Sequence, residues 1–160
     1  MRDTTGQAAP IMDPLLMSYY HGTLHFLFSH SMRIPDQHVS VDLYGRAQGS
    51  NDPVEVRAIS KPMYMKGWEQ SYRDTTFFLP KETYDRLNEI VGDIEVPSAN
   101  EINALAAGSD GYTCTIEYGG YGHSVSLTVW QPEEGKPPGS YKACRAMLMP
   151  GGFDPDKILE

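Results

Sequence analysis

Length, composition and charge exclude several classes of protein. The chain has 160 residues, which suits one ordinary domain with a sizeable core, and its formal charge is −8 from 13 basic and 21 acidic residues. This balance argues against nucleic acid and anionic membrane surfaces as partners, because no basic stripe is present to neutralise phosphates. No run of about 18 apolar residues occurs, so we expect no membrane insertion.

The first half of the chain predicts an arm followed by strands. Residues 1–18 are polar with two prolines and predict a flexible N-terminal arm; we expect a single domain over 19–150 and a C-terminal tail over 151–160. Alternating or mostly apolar runs bounded by turn residues predict four strands. These strands are Tyr20–Ser29, His38–Tyr44, Val54–Ile59 and Thr75–Leu79.

Two helices are predicted next, each with a start and a stop signal. Pro80 suits a first helical turn, and Gly92 ends an apolar stripe with helical spacing. Ser98 and Glu101 form an S-x-x-E capping box, and Gly108 ends the helix that would follow it.

The stretch from residue 110 to 150 carries the clearest local pattern. Tyr112–Tyr118 and His123–Trp130 alternate apolar and polar residues around the glycine-rich turn Gly119–Gly122, and this pattern predicts a β-hairpin with one covered face. Ser140–Met149 then predicts a short helix. Local hairpins followed by helices indicate an α+β fold, with an antiparallel sheet of about five to seven strands and two or three helices on one face.

The two cysteines fall on the predicted core faces of neighbouring elements. Cys114 shares the apolar face of its strand, and Cys144 lies on the same helix face as Tyr141 and Leu148. We therefore predict a disulfide between Cys114 and Cys144; the alternative is a pair of buried reduced thiols. No Cys-x-x-Cys occurs, which argues against a redox-active pair.

A disulfide requires an oxidising compartment. We therefore expect a periplasmic or secreted protein of the bacterial envelope, and the alternative is a cytoplasmic protein with free thiols. The polar start Met1–Gln7 has no apolar signal core, so the expectation implies that a signal peptide has been removed.

The sequence contains no motif that names a reaction. His21 and His25 are four residues apart but lack the glutamate of a zincin motif; the third ligand of a metal site would be His38 or His123. No G-x-S-x-G elbow occurs, and Gly119–Gly122 has no lysine after it. Asp42 and Glu55 suit a polar sheet face better than a glycosidase pair. We predict no metal, no cofactor and no catalytic set.

Aromatic residues are the unusual feature, with ten tyrosines and two tryptophans. Tyrosine and tryptophan are enriched at interface hot spots, and four of them lie in predicted loops. These candidate contacts with a partner are Tyr64, Trp68, Tyr72 and Tyr121. We expect a non-enzymatic envelope protein that binds another protein, such as an inhibitor or immunity protein that meets a basic toxic enzyme. The alternative is a small envelope hydrolase that uses His21, His25 or His123 with a nearby carboxylate.

Overall fold

The computed structural model shows one antiparallel sheet with helices on one face. It describes residues 22–32, 36–45, 51–62, 66–67, 69–95, 111–120, 123–132 and 137–160. Among these residues the strands are β1 (Thr23–His30), β2 (His38–Tyr44), β3 (Val54–Lys61), β4 (Arg73–Leu79), β5 (Tyr112–Gly120) and β6 (His123–Trp130). The helices are α1 (Lys81–Gly92), α2 (Ser140–Leu148) and α3 (Pro155–Ile158), with 3₁₀ turns at Glu69–Ser71 and Met149–Gly151.

The six described strands lie in the order β4-β3-β2-β1-β5-β6, and each neighbouring pair is antiparallel. Four strands follow the order of the chain, and the later β5–β6 hairpin then joins the opposite side of β1. The pairing of β1 with β5 is the long-range step, since Phe28 lies opposite Cys114. The predicted α+β class is confirmed, with six strands in a single domain.

Alternation along the strands separates a core face from an open face. Leu24, Phe26 and Phe28 of β1 are fully buried, and the residues between them point to the other side of the sheet. The same period in β2 and β3 buries the apolar members of each strand. Burial of each large apolar side chain stabilises the fold by roughly 1.5–3 kcal/mol, so this period also determines the register.

Helices α1 and α2 cover the core face. Leu87 and Val91 of α1 are buried four residues apart, and Ala143 and Met147 of α2 repeat that spacing. The helix predicted between Pro80 and Gly92 is present as Lys81–Gly92. Pro80 is the residue immediately before it. The predicted helix Ser98–Gly108 and the predicted arm 1–18 lie outside the described residues.

The C-terminal ten residues differ from the predicted tail. Phe153, Ile158 and Leu159 are buried in the core, and Asp154 caps α3 by accepting a hydrogen bond from the amide of Asp156. The hydroxyl of Tyr112 donates to the carbonyl oxygen of Leu159 at 3.1 Å. Residues 151–160 therefore belong to the folded domain, because their apolar side chains complete the core beside α2.

Candidate functional site

The candidate site is the face of the sheet opposite α1 and α2; no helix of the described residues packs on it, and we call it the open face. We define it by the side chains that alternate with the core residues of each strand. A straight row of six residues crosses it, with one residue from each strand and each lying opposite the next. This polar row consists of Thr76, Arg57, Asp42, His25, Glu117 and Ser126. Strands lie about 4.8 Å apart, so the row spans roughly 24 Å.

His25 occupies the middle of the polar row. Asp42 lies opposite it on β2, and Glu117 lies opposite it on β5. Nδ1 of His25 donates a hydrogen bond to Oδ1 of Asp42, and the side chains are 21% and 12% exposed. Burial by itself lowers the pKa of His25, but the hydrogen bond to Asp42 and the charges of Asp42 and Glu117 outweigh it and raise that pKa above its usual value.

Arg57 forms its ion pair with Asp74 rather than with Asp42. Its Nε and Nη2 donate to the two oxygens of Asp74 at 3.0 and 2.7 Å, which is the two-point geometry that guanidinium and carboxylate groups favour. These hydrogen bonds raise the pKa of Arg57 and lower that of Asp74. Within the described part of the chain, no lysine or arginine forms an ion pair with Asp42 or Glu117.

The open face is acidic overall. Among the described residues it carries the carboxylates of Asp42, Glu55, Asp74 and Glu117 against the cations of Arg57 and Lys61. Burial, together with the nearby charge of Asp42, raises the pKa of Tyr44 to about 12, so this phenol stays neutral. The surplus of negative charge favours a cationic ligand.

Apolar side chains lie beside the charges. Leu27 is 37% exposed, Tyr72 is 41% exposed and Phe78 is 58% exposed, all on the open-face side. Tyr72 donates its hydroxyl to Asp74 at 3.2 Å. Aromatic side chains are enriched at protein interfaces, and tyrosine is among the residues that act there as anchors.

A second histidine lies nearer one end of the same face. Nδ1 of His38 and the hydroxyl of Ser29 share a hydrogen bond of 3.1 Å, and Lys61 lies opposite His38 on β3. Burial and the charge of Lys61 lower the pKa of His38 below its usual value. His25 and His38 therefore respond to pH in different ranges.

The predicted partner contacts are placed only in part. Tyr72 is exposed immediately before β4, whereas Tyr64, Trp68 and Tyr121 lie outside the described residues, as does His21. Asp42 and Glu55 lie on neighbouring strands as expected, but Asp42 faces Arg57 and His25 rather than Glu55. Glu117 and Phe78 also lie on the open face, although no motif in the sequence marks them as candidate residues. The period of two in β4 and β5 indicates that these two side chains lie on the open face, but it does not show which strands are neighbours.

The two cysteines are buried and close together on the core face. Cys114 of β5 and Cys144 of α2 are each 1% exposed, and their thiols lie near each other but not at disulfide distance. Burial, followed by the contact with Cys144, raises the pKa of the Cys114 thiol well above its usual value. The predicted proximity is present; the covalent bond remains a prediction.

Over the described ranges no group of three histidine, cysteine, aspartate or glutamate residues has the arrangement of a metal site. No helix of this described part is long and apolar enough to cross a bilayer. Models of protein families and curated protein sequences give no match to the chain.

Proposed function

We propose that this chain is a non-enzymatic binding protein that docks on a basic partner protein through its open face. The observation that carries the proposal is the combination of surplus carboxylates with exposed Tyr72 and Phe78 on that face. An inhibitor or immunity protein of a toxic enzyme is the class that fits an acidic domain of this kind.

Charge and apolar contact would contribute differently to such binding. The carboxylates would steer a cationic partner toward the open face and accelerate encounter, with an effect that falls as salt rises. Phe78, on β4 at the end of the described strand order, would supply an anchor after encounter. A sheet face about 24 Å wide and seven residues long has an area of the same order as the roughly 800 Å² that one partner buries in a standard interface.

We also propose that the protein acts in the oxidising bacterial envelope, where Cys114 and Cys144 form a disulfide. The supporting observation is that the two thiols already interact in the core. Formation of the S–S bond would release two protons and two electrons, and a disulfide-exchange oxidant of that compartment would accept the electrons. The bond would join α2 to β5 and hold the helix layer on the sheet.

The test is capture of the partner from an envelope extract, followed by affinity measurements with purified proteins. Phe78→Ala should weaken binding by about tenfold or more, because an anchor side chain is removed. Met149→Ala is the matched control, since Met149 is 66% exposed and follows α2 on the helix side. The proposal is wrong if the two substitutions have equal effects, or if the captured protein binds a face other than the open one.

The alternative function is a small hydrolase, and the His25–Asp42 hydrogen bond is the observation that favours it. A carboxylate that orients an imidazole is the arrangement found where histidine acts as a general base. If ester, peptide or glycan substrates are turned over by the purified protein and His25→Gln abolishes turnover, the hydrolase proposal replaces the binding proposal.

A further inference from the structure

His25 is placed to control the charge of the open face. It is the middle member of the polar row and lies opposite a carboxylate on each neighbouring strand, Asp42 on β2 and Glu117 on β5. These two are also the charged groups that act on its imidazole electrostatically. Ser126 donates a hydrogen bond to Glu117 at 3.0 Å but brings no charge.

Arg57, the cation in the polar row, does not form an ion pair with Asp42 or Glu117. Arg57 lies opposite Asp42, but both of its contacting nitrogens are bonded to Asp74. When His25 is neutral, the centre of the open face therefore presents two carboxylates with no ion pair to a described lysine or arginine. When His25 is protonated, its imidazolium lies between them and neutralises about half of that charge.

We propose that His25 makes docking of the basic partner depend on pH: with a neutral imidazole the centre of the open face keeps the full negative charge of Asp42 and Glu117, of which the half-buried Glu117 can contact a lysine or arginine side chain of the partner, and the imidazolium offsets part of that charge. This inference rests on the proposed function, since it concerns the same face and the same partner. It identifies the chemistry recognised at the centre of the face as a cationic side chain, and it predicts tighter binding at higher pH.

The electrostatics agree with this direction. The pKa of His25 is lowered by burial but raised overall by the hydrogen bond and charge of Asp42 and by Glu117. The change of charge therefore lies above the usual range of histidine, which is near pH 6.5.

His38 provides a matched control on the same face. It is bonded to Ser29 and faces Lys61, so no carboxylate lies opposite it on β3 or β1. Burial and the charge of Lys61 lower the pKa of His38, so His38 gains its proton at lower pH than His25 does. His38→Gln should therefore leave the pH dependence of binding above pH 6.5 unchanged.

The experiment uses the full chain and an N-acetylated hexaarginine peptide with a fluorescent label and an amidated C-terminus. Arginine stays charged throughout, so the charge of the probe is constant between pH 5.5 and pH 8.0. Affinity is measured by fluorescence anisotropy in about 20 mM salt, where exposed charges are weakly screened. We expect binding about threefold to fivefold tighter at pH 8.0 than at pH 5.5, which is the range for gain or loss of one exposed charge contact.

Between pH 6.5 and pH 8.0, His25→Gln should abolish the pH dependence of binding, and His38→Gln should retain it. In the wild-type chain, saturation with the peptide should lower the pKa of His25 measured by NMR, because linkage between the proton and the peptide is reciprocal. This second measurement needs no variant to fold. An unchanged His25 pKa, or a His25→Gln variant with the same pH dependence as the wild-type chain, overturns the inference.

The two proposals fail in different ways. If the peptide binds at both pH values and Glu117→Gln weakens it more than Glu89→Gln, the acidic docking face stands whether or not His25 controls it. Glu89 is the matched control because it is exposed on α1, which packs on the other side of the sheet. If the peptide does not bind at pH 8.0, or if the two substitutions act equally, the proposed function itself is wrong.

Discussion

Reduction of a Cys114–Cys144 disulfide should lower the free energy of unfolding by about 3.6 kcal/mol. The bond would close a loop of about 30 residues, and the chain-entropy relation for a loop of that length gives this value at 25 °C before any strain in the folded state. The loop contains the β5–β6 hairpin and the start of α2, so the bond would restrict the unfolded chain over the part that builds one side of the core.

The assay is urea denaturation of air-oxidised and reduced protein, followed by circular dichroism. The oxidised protein should have the higher midpoint, and its mass should be lower by two hydrogens. The control is the double variant Cys114→Ala with Cys144→Ala, whose midpoint should not respond to reductant. If two thiols can be alkylated in unfolded protein that came from an oxidising compartment, or if reductant leaves the wild-type midpoint unchanged, the disulfide proposal is wrong.

Three further predictions concern stability and electrostatics. Leu159→Ala should destabilise the domain by about 2 kcal/mol, whereas exposed Met149→Ala should stay within about 0.5 kcal/mol in the same denaturation assay. Asp42→Asn should lower the pKa of His25 in an NMR titration, because the main group that raises it is lost. Since the pKa of His25 is raised in the folded state, its contribution to stability is complete below about pH 6.5 and is lost as pH rises through the folded pKa, so the stability difference between wild type and His25→Gln should shrink above pH 6.5.

Most of the strand pattern was predictable because it is local. The period of two in His38–Tyr44 and His123–Trp130 is complete, and both strands are found with the predicted ends. Pro80 and Gly92 likewise mark a helix that begins and ends where the sequence indicates. Each of these signals acts within a few residues, so the local chemistry decides the outcome.

The C-terminal docking was not predictable from such patterns. Phe153, Ile158 and Leu159 are separated by proline and charged residues, and four helical residues are too few to show a period. Their burial depends on the space beside α2 and on the hydrogen bond from Tyr112, which lies 47 positions away in the chain. This is a tertiary effect that a local pattern does not contain.

The polar row was missed for a related reason. Asp42 was compared with Glu55 because the two lie on consecutive strands, whereas its actual neighbour His25 comes from β1. Glu117 joins them through the pairing of β1 with β5, which are about 90 residues apart in the chain. The period of two places each residue on the open face, but only the strand order brings the three together.

The most direct test of the open face as the docking surface is to map where a basic ligand binds. Methyl signals of the 13C-labelled chain are followed while hexaarginine is added at pH 8.0. Leu27 and Ile59 lie on the open face, and Leu87 and Val91 are buried on the helix side. The signals of Leu27 and Ile59 should shift, and those of Leu87 and Val91 should not. Shifts confined to Leu87 and Val91, or absent from all four, would contradict the open face as the docking surface.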